Sequence, residues 1–183
     1  MAIYTKTGDK GTTKVFDKKN GELTSIRKDS CHIKTIGAID ELNSFLGVIK
    51  SQSDKEKSLN KKIQEVQENL FIINSVLAGG KITFSKTKTK KLEKTIDELE
   101  GSLPVQKNFI FYGGSQTSAF LFYARALARR AERSLTAFAK KEKVPEAVST
   151  YFNRLSDYLF ILARNINFEN KVKEDYWITK TSR

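Results

Sequence analysis

Three arginines, Arg125, Arg129 and Arg133, follow one another at i, i+4 and i+8. At about 100° per residue they fall on one side of a helix, with Arg125, Arg129 and Glu132 within roughly 60° of each other. Like charges at this spacing repel by a few tenths of a kcal/mol per pair. A solvated face would interleave acids, yet Glu132 alone offsets the three guanidinium groups. The spacing therefore calls for an anion or a partner carboxylate, the alternative being a plain exposed basic face. Downstream, Asn153, Asp157 and Arg164 share one side of a second helix, away from Leu155, Leu159 and Leu162. A short-chain amide and a carboxylate cost helix propensity unless they bond something.

The N-terminal stretch Thr5-Lys6-Thr7-Gly8-Asp9-Lys10-Gly11-Thr12-Thr13 holds four hydroxyls, two glycines and two lysines. Glycines let backbone amides approach an anion, and hydroxyls and lysines add donors. It is not a Walker A loop, because no Gly-Lys-Ser/Thr follows a four-residue gap. Cys31 and His32 are the only thiol and imidazole. Neither a zinc finger nor a catalytic dyad with a histidine to spare can be assembled from them. The chemistry on offer is polyanion binding, without an obvious side-chain nucleophile or base.

The elements that must position these groups read as helices. Ile36, Ile39, Leu42, Leu46 and Ile49 recur at three and four from about Ser30, an amphipathic pattern. After the polar linker Ser51 to Lys57, Leu59, Ile63, Val66, Leu70, Ile73 and Leu77 form a heptad-like seam that ends at Gly79-Gly80, as bundle helices do. A shorter third helix carries Leu92, Ile96 and Leu99 and stops by Gly101 and Pro104. The fourth starts at Ser115, an N-cap residue, and runs to about Lys141; the fifth opens with Pro145 in its first turn and reaches Ile166. Residues 1–29 show no helical period and no useful strand alternation, and read as an ordered arm. The tail, 169–183, reads as polar and loose apart from Tyr176-Trp177. The expectation is one all-α domain of 183 residues, a five-helix bundle (30–168) with an N-terminal arm.

Composition narrows the class further. The net charge is +12, and six of the eight arginines lie between 125 and 164, whereas the 25 lysines scatter, densest from Lys81 to Lys94. Keeping arginine for one region selects its planar, multi-donor fork. A nucleic-acid binder would use the charge, but the lysines lack interleaved aromatics and no such motif is present. No apolar run approaches the roughly 18 residues of a membrane span, and the N-terminus lacks a signal-peptide core. A single cysteine fits a reducing compartment, so a cytoplasmic chain free of membrane and nucleic acid is expected.

Five motifs in order, Ile3 to Thr13, Gly37 to Asn43 (Gly-Ala-Ile-Asp-Glu-Leu-Asn), Gly113-Gly114-Ser115, Arg125 to Arg133 and Tyr151 to Phe160, resemble the PduO-type ATP:cob(I)alamin adenosyltransferases. The likeness runs from about residue 3 to 166. It implies a homotrimer with active sites at subunit interfaces, transferring the 5′-deoxyadenosyl group of ATP to the cobalt of reduced cobalamin with release of triphosphate. Mg²⁺ is implied as a helper, without a set of protein ligands. By the same resemblance Thr5, Lys6, Thr7, Gly8, Thr13, Lys14 and Lys28 contact ATP, as do Arg129, Arg130, Glu132, Arg133 and Asn153. Asp40 and Arg125 match a salt bridge across the interface and, with Arg129, are the implied catalytic set. Phe109 matches a phenylalanine that crowds the lower face of the corrin. A cobalamin reductase and adenosylcobalamin-dependent enzymes are the implied partners.

The chain departs from the family pattern at Tyr112, where a proline is common, and at Phe122, where a histidine is frequent. Both bear on the shape of the corrin pocket. A non-catalytic cobalamin-binding or scaffold bundle of the same fold is the alternative, and it would have no use for the arm and the arginines.

Overall fold

Ser30 and Ser115 each cap a helix in the computed structural model, which describes residues 4, 6–17, 20–53 and 56–178. The Ser30 hydroxyl accepts from the amide of Ile33 at 3.3 Å, and that of Ser115 from Ser118 at 3.3 Å. The element order is β1 (Thr12–Asp17), β2 (Glu22–Arg27), α1 (Cys31–Gln52), α2 (Lys57–Leu77), α3 (Thr87–Ser102), α4 (Gln116–Ala139) and α5 (Glu146–Glu169). The five expected helices are present. Pro145 stands one place earlier than expected, at the N-cap of α5, where its carbonyl accepts from Val148 at 2.9 Å.

Helices α4 and α5 form the centre, with α1 packed on α4, α3 on α5 and α2 on α1. Leu42 and Leu46 of α1, Ile73 of α2, Leu121 of α4, and Phe152 and Leu155 of α5 are fully buried. Burying each such side chain contributes roughly 1.5–3 kcal/mol. From Ile161 to Asn167 every residue of α5 is buried, polar ones included. Those last turns are covered by the segment that leads into α4 and by the C-terminal tail.

The arm is more regular than its sequence suggests. β1 and β2 form an antiparallel hairpin in register Thr12↔Arg27 to Asp17↔Glu22. Its turn closes where the Gly21 amide donates to the Asp17 carbonyl at 2.8 Å, with Gly21 at φ +73°. The hairpin rests against the end of α2, where the Phe16 amide donates to the Ala78 carbonyl at 3.1 Å. A Cβ at Gly79 would lie 2.0 Å from the Phe16 carbonyl oxygen, so the docking requires glycine there.

Candidate active site

The position of α4 is set just before its N-cap. Gly114 has φ +106°, and a Cβ there would meet the Asn167 carboxamide at 2.3 Å. Asn167, buried on α5, donates to the Gly113 carbonyl at 2.9 Å and accepts from the Ser115 amide at 3.0 Å. Ser118 donates to the Ala163 carbonyl at 2.9 Å. The Gly-Gly-Ser turn is thus clamped to α5, which fixes both the height and the rotation of the arginine stripe that follows.

Arg125 lies over the rings of Tyr112 and Phe160, 5.1 and 5.6 Å from their centroids. Cation–π contact of this kind holds a guanidinium without neutralising it. The three residues belong to a cleft of about 590 Å³ that Phe109, Asp157 and Trp177 also line. Phe109 is 75% exposed and Trp177 50% exposed, so the cleft presents an aromatic surface to a ligand or a neighbour. A cavity of about 650 Å³ beneath the hairpin is larger, but is mainly apolar in lining and contains none of the arginines. Of the arginine stripe, Arg125 lines the aromatic cleft.

One and two turns beyond Arg125, Arg129 and Arg133 are exposed. Among the described residues neither has an ion pair or hydrogen bond from its side chain. Arg130, expected as a further nucleotide contact, is paired with Glu41 of α1. Its partner is on another helix, beyond the reach of local spacing. Glu132 accepts from Asn153 at 3.3 Å, and Asn153 accepts from Arg154 at 2.6 Å. Arg154 in turn bonds Glu93 of α3 at 3.0 Å. Glu132 and Asn153 are therefore brought together across α4 and α5 at the edge of the stripe. Asp40 is exposed on α1 and, among the described residues, makes no contact with Arg125 of its own chain.

Arg164 does not join Asn153 and Asp157 at the surface. It is buried, its Nε 2.8 Å from Glu174 in the tail. As far as Ile178 the tail is not loose but paired with the segment before α4: the Trp177 amide donates to the Phe109 carbonyl at 2.7 Å, and the Phe111 amide to that of Asp175 at 2.8 Å.

In the arm, residues 7–10 form a turn, with Lys6 entering it at φ 58°. The Lys28 amide donates to the Gly11 carbonyl at 2.9 Å, and the Lys28 ammonium sits over Gly8, 3.2 Å from where a Cβ would be. Gly8 and Lys28 are thus juxtaposed, and Lys14 is exposed on β1 beside Thr13. Thr5 lies outside the described residues. No hydrogen bond or ion pair joins the described arm residues to Arg129 or Arg133 in one chain.

The sequence model of the cobalamin adenosyltransferase family matches residues 3–166. The chain belongs to the cobalamin adenosyltransferase family. It is 36% identical over 174 residues to the corrinoid adenosyltransferase of Bacillus subtilis, covering 91% of this chain and 87% of that one. Among solved structures it resembles a phenylalanine-to-alanine variant of a PduO-type ATP:corrinoid adenosyltransferase from Lactobacillus reuteri, complexed with cobalamin and ATP. That match has a TM-score of 0.89 and 31% identity, over 97% of this chain and 100% of the other. An arginine-to-lysine variant from the same organism, complexed with ATP, matches at TM-score 0.88 and 32% identity, over 96% of this chain and 100% of the other.

Within this adenosyltransferase, His32 is structural. Its Nε2–H donates to the Leu77 carbonyl at 2.8 Å and its ring stacks on Phe138 at 4.7 Å. Burial pushes the Tyr151 and Tyr158 hydroxyls up, away from a general base's range. Asn167, and the place of Trp177 in the cleft, escaped the sequence reading. A glycine pair before an N-cap points to some clamp but not to Asn167, and Trp177 joins the cleft through backbone pairing that leaves no periodicity. No helix among the described residues is long and apolar enough to cross a membrane.

Proposed function

We propose that this chain transfers the 5′-deoxyadenosyl group of ATP to the cobalt of cob(I)alamin, giving adenosylcobalamin and triphosphate. The Co–C5′ bond forms as C5′–O5′ breaks, and the electron pair of the broken bond leaves with the triphosphate. Cobalt being the nucleophile, the protein supplies position and charge. What carries this reading is the layout of α4. Arg125 sits over the aromatic cleft, and uncommitted arginines follow at about 6 Å per four residues. One helix thereby sets a surface for a flat macrocycle beside a surface for a polyanion.

In this reading Arg129 and Arg133 take the phosphates, with Glu132 and Asn153 at their edge; Arg130 joins them by leaving Glu41. Thr5, Lys6, Thr7, Gly8, Thr13, Lys14 and Lys28 supply the rest, from the arm of a neighbouring subunit. The unit is a homotrimer, closed by Asp40 of one subunit against Arg125 of the next. Among the described residues no cluster of three metal-ligating side chains stands, so Mg²⁺ is assigned to the phosphates themselves, as such ions are commonly held. Phe109 crowds the lower face of the corrin and keeps the cobalt free of its lower ligand, which eases reduction. The location is cytoplasmic, with a reductase and adenosylcobalamin-dependent enzymes as partners.

Mixing the protein with MgATP and chemically reduced cobalamin tests this. One triphosphate released per Co–C bond formed is expected. Cobalamin binding without either product would return the chain to a carrier or scaffold.

A further inference from the structure

Phe109 is 75% exposed, so its own packing does not set the position of its ring. Its backbone is fixed instead. The carbonyl of Phe109 accepts from Trp177, the amide of Phe111 donates to Asp175, and Ile110 bridges to Tyr176. These are contacts between two irregular segments, residues 103–114 and the tail. Neither is part of a sheet that would hold them in register.

Both segments converge on Arg164. Its Nε and Nη2 donate to the two Glu174 oxygens at 2.8 and 3.1 Å, and Nη2 also donates to the Pro104 carbonyl at 3.0 Å. The Tyr176 hydroxyl donates to Glu174 at 3.2 Å. The side chains of Arg164 and Glu174 are 4% and 14% exposed. A buried ion pair is weak support for stability, because desolvation offsets most of its attraction. Its planar fork, however, fixes geometry at two points at once. One guanidinium in the buried end of α5 bonds both segments of the pair that carries Phe109.

We propose that Arg164, through Glu174 and the tail, is the positioning residue that sets the height of Phe109 in the cleft. The proposal rests on the reading that Phe109 faces the cobalt. Arg164→Lys keeps the charge but cannot reach Glu174 and Pro104 with one fork, and Glu174→Gln, in the tail outside the bundle, provides a milder variant should the first fold poorly.

Three readouts test it. In the unliganded protein, hydrogen exchange at the Phe111 and Trp177 amides should quicken by roughly tenfold in Arg164→Lys, the factor carried by one charge-assisted hydrogen bond, while α1 amides hold their rates. With MgATP bound, the fraction of cob(II)alamin lacking its lower ligand, read by electron paramagnetic resonance, should fall while the Kd for ATP holds. In a Phe109→Ala background Arg164→Lys should cause no further loss. Unchanged exchange at both amides in both variants would overturn the proposal, as would faster exchange with a wild-type cob(II)alamin spectrum, or an equal further loss in the Phe109→Ala background. If Phe109→Ala alone gave the wild-type spectrum, the assignment of Phe109 would fail first and the proposal with it.

Discussion

At the start of α4 the chain completes its own cleft. Asn167 clamps the Gly-Gly-Ser turn, Arg164 holds the tail against residues 104–111, and Arg125 is already seated on Tyr112 and Phe160. Further along the same helix Arg129 and Arg133 stand without partners among the described residues, and no hydrogen bond or ion pair joins them to the described arm residues that would share their anion. The aromatic half is over-determined by buried polar bonds, whereas the other half is a set of donors that the proposed function completes with a ligand and a second subunit. A flat apolar ligand needs a preformed surface. A polyanion can draw its donors together from two chains, since the charge it brings offsets their repulsion.

Assembly is where the contrast can be broken most severely. Asp40→Ala should weaken the proposed trimer by roughly 3–5 kcal/mol if the Asp40–Arg125 pair is buried there, against ~0–1 kcal/mol for a solvent-screened pair. Light scattering across a dilution series reads the difference. Gly114→Ala attacks the preformed half: a positive-φ position and the displaced Asn167 bonds should together cost about 2–4 kcal/mol, seen as a lowered Tm. Loss of cobalamin binding with retained ATP binding would accompany it.

Arg129→Ala should lose ATP affinity by about 1.5–3 kcal/mol, one charge-assisted pair fewer on the phosphates. Its neighbours at i−4 and i+4 are Arg125 and Arg133, so no carboxylate on its own helix competes for the fork. Phe109→Ala should leave ATP affinity near wild type and slow only the reaction from cob(II)alamin. Equal ATP losses in both variants would erase the division between the halves. The smallest effect is in the arm, where added MgATP should lower protease nicking near Lys10 as donors gain partners; equal nicking with and without nucleotide would count against arm binding.

The sequence made the helices legible because their caps are local: Ser30 and Ser115 bond amides three residues on. The arginine stripe was legible for the same reason, being a spacing within one helix. The hairpin was not, because β2 is exposed along nearly its whole length and carries no inward–outward alternation. The turn signal Asn20-Gly21, between β-branched runs, was the available clue. Arg164 misled, assigned by face with Asn153 and Asp157 while its carboxylate partner, Glu174, sits on a different segment. Helical spacing tells which residues share a side, not what covers that side.

Complementation between two inactive variants tests the composite site most directly. Lys28→Ala damages the arm and Arg129→Ala the stripe, and each alone should abolish most adenosylcobalamin formation. Refolded together, subunits that each lack one half should rebuild intact sites at about a quarter of their interfaces, since random mixing in a closed ring pairs an intact arm with an intact stripe that often. Recovery to about that level is the predicted result. Mixed trimers as inactive as either parent would show that both halves come from one chain, and the account of a site completed between subunits would be wrong.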